Sequence, residues 1–234
     1  MIVTYVAITQ CLLFFIFATL EWRFPARHLQ QTQGFWRWWI FVVSFGSLWL
    51  KLLVLCWASI PSGFIPLPDN TIAAGIVYYL FYSFCNYWWH RYKHMNPFLW
   101  RWLHRVHHSP QKMQTAVCYF KHPLEFMVNS CVIWATASVF GASYEVVAIA
   151  LLIEGALETY HHSNIKTPDR LRWIGYIIQT PEMHLVHHER GLHKHNYVAA
   201  IWDTIFGTVY IPEIWQGRQG LKNARFLPYF VLRD

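Results

Sequence analysis

Four apolar runs dictate what this chain can fold into. Residues 2–20 carry no charge, residues 38–57 carry only Lys51, and residues 71–89 carry none and end on Tyr87, Trp88 and Trp89. A bilayer core takes about 20 mostly apolar residues per helix, so each of these runs predicts one membrane span. Met1 has no basic segment behind it, and no small-residue cleavage site follows closely. The first run is therefore expected to be a membrane helix and not a signal peptide. Residues 126–157 form a fourth run, interrupted by Gly141, Ala142 and Ser143. It is long for one span and short for two, which predicts a tight helical hairpin, re-entrant in the preferred reading. Composition agrees: 55% of residues are hydrophobic and 13% charged, against about 25% charged in a typical soluble domain. A disordered chain, a coiled coil and a disulfide scaffold are excluded. Cys11, Cys56, Cys85, Cys118 and Cys131 form no CxxC pair and are expected to be small buried hydrophobes.

The basic residues orient these spans. Arg23, Arg27 and Arg37 lie in the first loop, and residues 58–70 hold no Lys or Arg. Arg91, Lys93, Arg101, Arg105, Lys112 and Lys121 follow the third run, and Lys166, Arg170 and Arg172 follow the fourth. The positive-inside rule puts the first, third and last groups in the cytosol and the N-terminus outside. The net charge of +7 then points to a membrane surface and not to nucleic acid. All 14 histidines fall on the cytosolic side. The expected fold is an all-α integral membrane bundle in one domain, residues 1–234. It makes about four passes, the last two a short re-entrant hairpin, under a cytosolic His-rich helical cap. Residues 211–234 are expected to be a short polar cytosolic tail. The membrane is a bacterial inner membrane or the endoplasmic reticulum.

The histidines are patterned. HRYKH at 90–94 continues the third run, so His90 and His94 are expected one turn apart on a helix. HRVHH at 104–108 and HLVHH at 184–188 share one spacing. That spacing would put His104, His107 and His108 on one helical face, and His184, His187 and His188 on another. His161 and His162 close the fourth run. Neutral imidazole is the commonest metal ligand and suits Fe, Zn, Cu and Ni. The three motifs supply eight ligands and His162 a ninth, more than one ion accepts, so two metals are expected. The zinc-protease HExxH pairing is absent. Glu154, Glu158 and His162 follow at intervals of four, and Glu158 is the candidate catalytic carboxylate. His161, His193 and His195 are open between ligand and structural roles, and His28 stands alone in a basic loop.

These residues resemble the integral-membrane di-iron fatty acid hydroxylase/sterol desaturase superfamily. The three His motifs look like its eight-His signature. His122-Pro123-Leu124-Glu125 resembles its HPxE segment, and His162-Ser163-Asn164 its HSN segment. Asn196-Tyr197 and Trp202-Asp203 with Phe206-Gly207-Thr208 are similar to its closing segments, although Val198 stands where a Gly is usual. The resemblance covers about residues 75–210. It implies two Fe ions held by His90, His94, His104, His107, His108, His162, His184, His187 and His188, with zinc a substitute. His161, His122, His195 and Asn196 are further candidates as ligands or as residues that orient ligands. Pro123 could alternatively start a helix whose first turn Glu125 holds. The implied activity is an O2-dependent hydroxylation of an acyl, alkyl or sterol chain entering from the bilayer. No cytochrome b5-like segment is present, so electrons would come from a separate cytochrome b5-like protein, ferredoxin or reductase.

Desaturation by the same cluster is the nearest alternative, because the two outcomes diverge only after hydrogen abstraction. A non-redox zinc protein, hydrolytic or structural, is the alternative of another class. A metal transporter would place its ligands at mid-membrane, whereas these histidines gather at one interface. The Trp-rich segments 36–39, 88–89 and 100–102 are expected to anchor at the interface.

Overall fold

The computed structural model describes residues 2–27, 42, 46, 59–213, 215 and 217–221. The predicted second span (38–57, residues 42 and 46 apart), His28, the Trp segment 36–39, Cys56 and residues 222–234 lie outside the described residues. All named elements are helical, and one isolated bridge joins Glu189 to Gln219. Among the described residues, four long helices carry the fold: α1 (Ile2–Arg23), α2 (Thr71–Met95), α3 (Pro123–Phe140) and α4 (Tyr144–His162). Two of them, over Thr4–Arg23 and Pro123–Phe140, are long and apolar enough to cross a membrane, with mean hydropathies of 1.6 and 1.3.

The helix ends follow local chemistry. Asn70 caps α2, its Oδ1 accepting from the Ile72 and Ala73 amides at 3.0 Å. Such a cap is worth about 1 kcal/mol. Helix α2 runs through His90 and His94 and stops at Asn96, before Pro97, where the proline ring disfavours helical geometry for its predecessor. Pro123 occupies the first turn of α3, and Gly141 ends that helix in the left-handed region at φ 59°, as a glycine C-cap does. Ser143 then caps α4. The hairpin therefore breaks at the three residues that interrupt the apolar run.

Helix α4 is central, packing against α1 and α2, while α3 packs against α2. Tyr78, Ile133, Ala137, Val147 and Ala150 form the shared core, and the Tyr78 hydroxyl donates to the Ile133 carbonyl at 3.0 Å. Gly75 lets α4 approach closely, since a Cβ there would lie 2.5 Å from Ile149 Cγ2. Gly155 likewise makes room for Gln10 of α1, whose amide donates to the Tyr119 hydroxyl at 2.7 Å. The outward side of α1 is apolar, with Tyr5, Ile8, Leu12, Phe15 and Ile16 exposed.

The C-termini of α1, α2 and α4 and the N-terminus of α3 meet at one end, under a cap of short segments. These are a helical turn (Pro97–Leu99), a π-turn (Trp100–His104), two 3-10 segments (Thr115–Tyr119 and Asp169–Tyr176), α5 (Pro181–His187) and α6 (Ala200–Ile205). Glu21 ties α1 to the cap by accepting from the Thr115 and Asn164 amides at 2.8 and 3.0 Å. Arg27 lies at this end, its carbonyl bonded to Asn164. Phe64 and Ile65 lie at the other, bonded to the Val139 carbonyl. Part of the expected tail is packed: Gln219 is buried, and its side chain accepts from the Met113 amide at 3.2 Å. Cys118 is buried, but Cys11 and Cys131 are exposed on the helix surfaces, because an apolar run supplies more hydrophobic face than its neighbours cover.

Candidate metal centre

Helix α2 holds His90 and His94 with their rings stacked at 5.0 Å. The next three imidazoles come from the π-turn at Trp100–His104 and the turn after it. His161 and His162 end α4, and α5 with its C-cap presents His184, His187 and His188. The cap gathers nine of them into two sets whose nitrogens lie within 4.8 Å of one another: His90, His94, His104, His108 and His187; and His107, His162, His184 and His188; a third, smaller group of Glu158, His161 and His162 shares His162 with the second set. Eight of the nine are buried, and His94 is half-buried. The sets adjoin, with the rings of His108 and His188 stacked at 4.0 Å.

This partition differs from the expectation that each HxxHH motif offers one face. The first motif sends His104 and His108 to one set and His107 to the other. The second sends His184 and His188 to one set and His187 across. A π-turn opens the helical register locally, and α5 ends at His187, so neither segment is a regular helix over its whole motif.

The outer nitrogens fix the tautomers. His107 Nδ1 donates to the Phe120 carbonyl at 3.1 Å, and His162 Nδ1 to the Glu158 carbonyl at 2.8 Å. A carbonyl only accepts, so each Nδ1 carries the proton and each Nε2 is a bare lone pair. Those two Nε2 atoms face each other at 3.3 Å. In the first set, His187 Nδ1 donates to the His195 carbonyl at 2.9 Å and His104 Nδ1 to Glu125 Oε1 at 2.6 Å. His90 Nε2 then lies 2.8 Å from His104 Nε2 and 3.2 Å from His187 Nε2. One proton cannot serve both contacts. Buried lone pairs pointed at each other repel, and a cation between them removes the repulsion. The buried Nδ1 atoms of His94, His108 and His184 also lack hydrogen-bond partners.

The electrostatics suit metal binding. Burial first, and then the charge of neighbouring basic groups, holds His104, His107, His108, His184 and His188 well below the ordinary imidazole pKa. Burial lowers His187 to about 3. The rings are neutral at pH 7, the form that binds metal.

Glu125 is the residue that sequence reasoning underrated. Its Oε1 receives both His104 Nδ1 and Lys93 Nζ at 2.6 Å, and both members of the ion pair are buried. It holds the His104 imidazole in one orientation, as carboxylates do for imidazoles that bind metals, more than it braces its own helix turn. The signal was the HPxE segment, which places Glu125 in the first turn of α3 facing α2.

The remaining candidates fall around the sets. Glu158 lies 3.8 Å from His161 Nε2 and 3.7 Å from His162 Nδ1, and accepts from Lys121 at 3.2 Å. The His161 ring lies tilted against that of His184, 4.2 Å between centroids. His122 caps α3, its Nδ1 accepting from the Leu124 amide at 3.1 Å. Asn196, at φ 55°, uses its side chain on the backbone of Met183 and Tyr210. His195 supplies the carbonyl that holds His187. His193 Nδ1 donates to the His187 carbonyl at 2.9 Å, and its ring packs on Trp100. Trp100 also lies 5.2 Å from the rings of His94 and His108, so it packs against the imidazole cluster.

Comparison with known proteins agrees with this geometry. A family model described as fatty acid hydroxylase matches residues 75–208. The sphingolipid C4-hydroxylase sur2 of Schizosaccharomyces pombe is 26% identical over 156 residues, covering 60% of this chain and 50% of that protein. The chain thus spans about half the length of this curated relative. No solved structure matches it. More than half of its length fits the family model and both imidazole sets lie inside the matched span, so the chain belongs to the fatty acid hydroxylase family of oxidoreductases.

Proposed function

We propose that this chain is a membrane-bound di-iron oxygenase that hydroxylates a lipid chain. The observation that carries the reading is the division of nine imidazoles into two adjoining sets with bare nitrogens facing inward. The sulfur-free, carboxylate-poor donor set suits iron, with zinc the main competitor. His90, His94, His104, His108 and His187 would hold one ion, and His107, His162, His184 and His188 the other. Bound iron would supply O2 activation and the oxidising power that an unactivated C–H bond demands. The overall reaction takes the lipid, O2, two electrons and two protons to the alcohol and water.

The chain's own residues supply the rest. The backbone carbonyls of Phe120, Glu158 and His195, together with Glu125, aim the imidazoles. Their burial excludes bulk water. Glu158 stands beside His161 and His162, placed to hold a proton near the second set. The yeast relative's sphingolipid brings such chains within the candidate substrates.

The topology is part of the proposal. Helix α1, a second span at 38–57, α2 and the α3–α4 hairpin would make about four passes, with the basic, His-rich cap in the cytosol. The second span would join Arg27 at the cap end to residue 59 at the far end. Electrons would come from a separate carrier protein. The test is metal analysis with turnover. Purified protein is expected to hold about two irons per chain, the number two ligand sets require, and zinc exchange should abolish lipid oxidation while leaving the fold intact. Full activity with zinc would overturn the reading.

A further inference from the structure

An aromatic chain leads from the first imidazole set to the surface. Tyr197 packs against three rings of that set, its centroid 5.9 Å from His90, 5.8 Å from His94 and 5.6 Å from His187. Tyr197 meets Tyr87 edge-on at 5.7 Å, and Tyr87 meets Trp88 edge-on at 5.3 Å. Tyr197 and Tyr87 are buried, whereas Trp88 is 43% exposed. The chain therefore begins at the imidazoles and ends outside.

Tyr87 has more than its ring in this arrangement. Its hydroxyl lies 2.9 Å from Thr208 Oγ1 and accepts from Arg91 at 3.2 Å. Thr208 Oγ1 donates in turn to Asp203 Oδ1 at 2.6 Å. A threonine hydroxyl has one proton. With that proton on Asp203, Thr208 can only accept from Tyr87. The Tyr87 O–H thus points along two hydrogen bonds to a fully buried carboxylate. Burial raises Asp203 to about 6, so it is ionised at pH 7 and takes a proton more readily than an exposed carboxylate.

A buried tyrosine gives up an electron readily only if its phenolic proton leaves with it, because a net charge left in an apolar interior is costly. Packing alone requires the Tyr87 ring and not this proton path. Tyrosine and tryptophan donate only to strong oxidants. Such a chain stays silent while resting metals take up electrons, and acts when an oxidised centre meets no C–H bond.

We propose that Trp88, Tyr87 and Tyr197 pass electrons from the surface to an oxidised metal centre that lacks a lipid, and so spare its imidazoles. The role at the centre rests on the di-iron reading; the wiring does not. In the balanced step the centre gains one electron and Tyr87 loses one through Tyr197. The Tyr87 proton moves to Thr208 as the Thr208 proton moves to Asp203. Trp88 then returns an electron to Tyr87, the protons move back, and a small reductant such as ascorbate re-reduces Trp88.

The wiring is tested on zinc-loaded protein in detergent by pulse radiolysis, where azide radical removes one electron from exposed tryptophan. Part of the tryptophanyl absorbance is expected to pass to a tyrosyl signal. Trp88→Phe, Tyr87→Phe and Thr208→Val should each lose the share carried by this chain, with zinc content unchanged. Thr208→Ser keeps the hydroxyl and should retain that share. The role is tested on iron-loaded protein given hydrogen peroxide without lipid. Freeze-quenched samples are expected to show a tyrosyl radical by electron paramagnetic resonance, lost in Tyr87→Phe and in Tyr197→Phe, and suppressed in wild type by added lipid. Transfer in zinc-loaded Tyr87→Phe equal to wild type would overturn the proposal. So would an iron-loaded protein that hydroxylates lipid yet forms no tyrosyl radical without it. If iron gives neither lipid oxidation nor the radical, the role at the centre falls with the hydroxylase reading, and the zinc-loaded result still decides the wiring.

Discussion

Glu125→Leu is expected to destabilise the protein by about 3–5 kcal/mol, the cost of stranding one charge of a buried pair. Lys93 is 3% exposed and Glu125 0%, so the stranded ammonium has no route to water. The double variant Lys93→Met, Glu125→Leu removes both charges. It should recover most of the stability, since an apolar replacement of a buried pair is often neutral. Metal binding should not recover with it. His104 Nδ1 loses its acceptor in both variants, and losing such an orienting partner costs about 10–100-fold in metal affinity. Denaturation in detergent paired with metal titration separates the two effects. A single variant as stable as wild type would show that the pair contributes nothing, and full metal affinity in the double variant would deny Glu125 its orienting role.

His107 and His108 are adjacent in sequence but belong to different sets, and this gives the second large effect. His107→Ala and His108→Ala should each lower metal content from two ions per chain to about one, and each should abolish lipid oxidation. The combinations distinguish the crossed arrangement from a single shared cluster. His107→Ala with His184→Ala strikes one set twice and should retain about one metal, because residues acting as a unit are not additive. His107→Ala with His108→Ala strikes both sets and should leave the chain without metal. Elemental analysis of the four variants decides the matter. Equal loss in both double variants would contradict the partition.

Much of this was legible from residues alone. The uncharged run at 71–89 and the i, i+4 pair at its end predicted α2 with His90 and His94 on one face. Gly141 and Ser143 marked the hairpin, since a left-handed C-cap and a serine N-cap need little else around them. The nine imidazoles were legible as a group because each sits in a short motif. Their division was not, because three- and four-residue spacing fixes a face only while the helix is regular. The π-turn at Trp100–His104 and the early end of α5 break that condition. Glu125 was misjudged because its partner Lys93 lies on another helix and no local pattern links them.

The central claim is that this centre inserts oxygen into a lipid. The most direct measurement is mass spectrometry of lipids from cells grown under isotopically heavy O2, expressing either wild type or His107→Ala with a competent reductase. A lipid is expected to gain one heavy oxygen atom with wild type only. A lipid that instead loses two hydrogens, or no labelled lipid in iron-loaded cells, would contradict it.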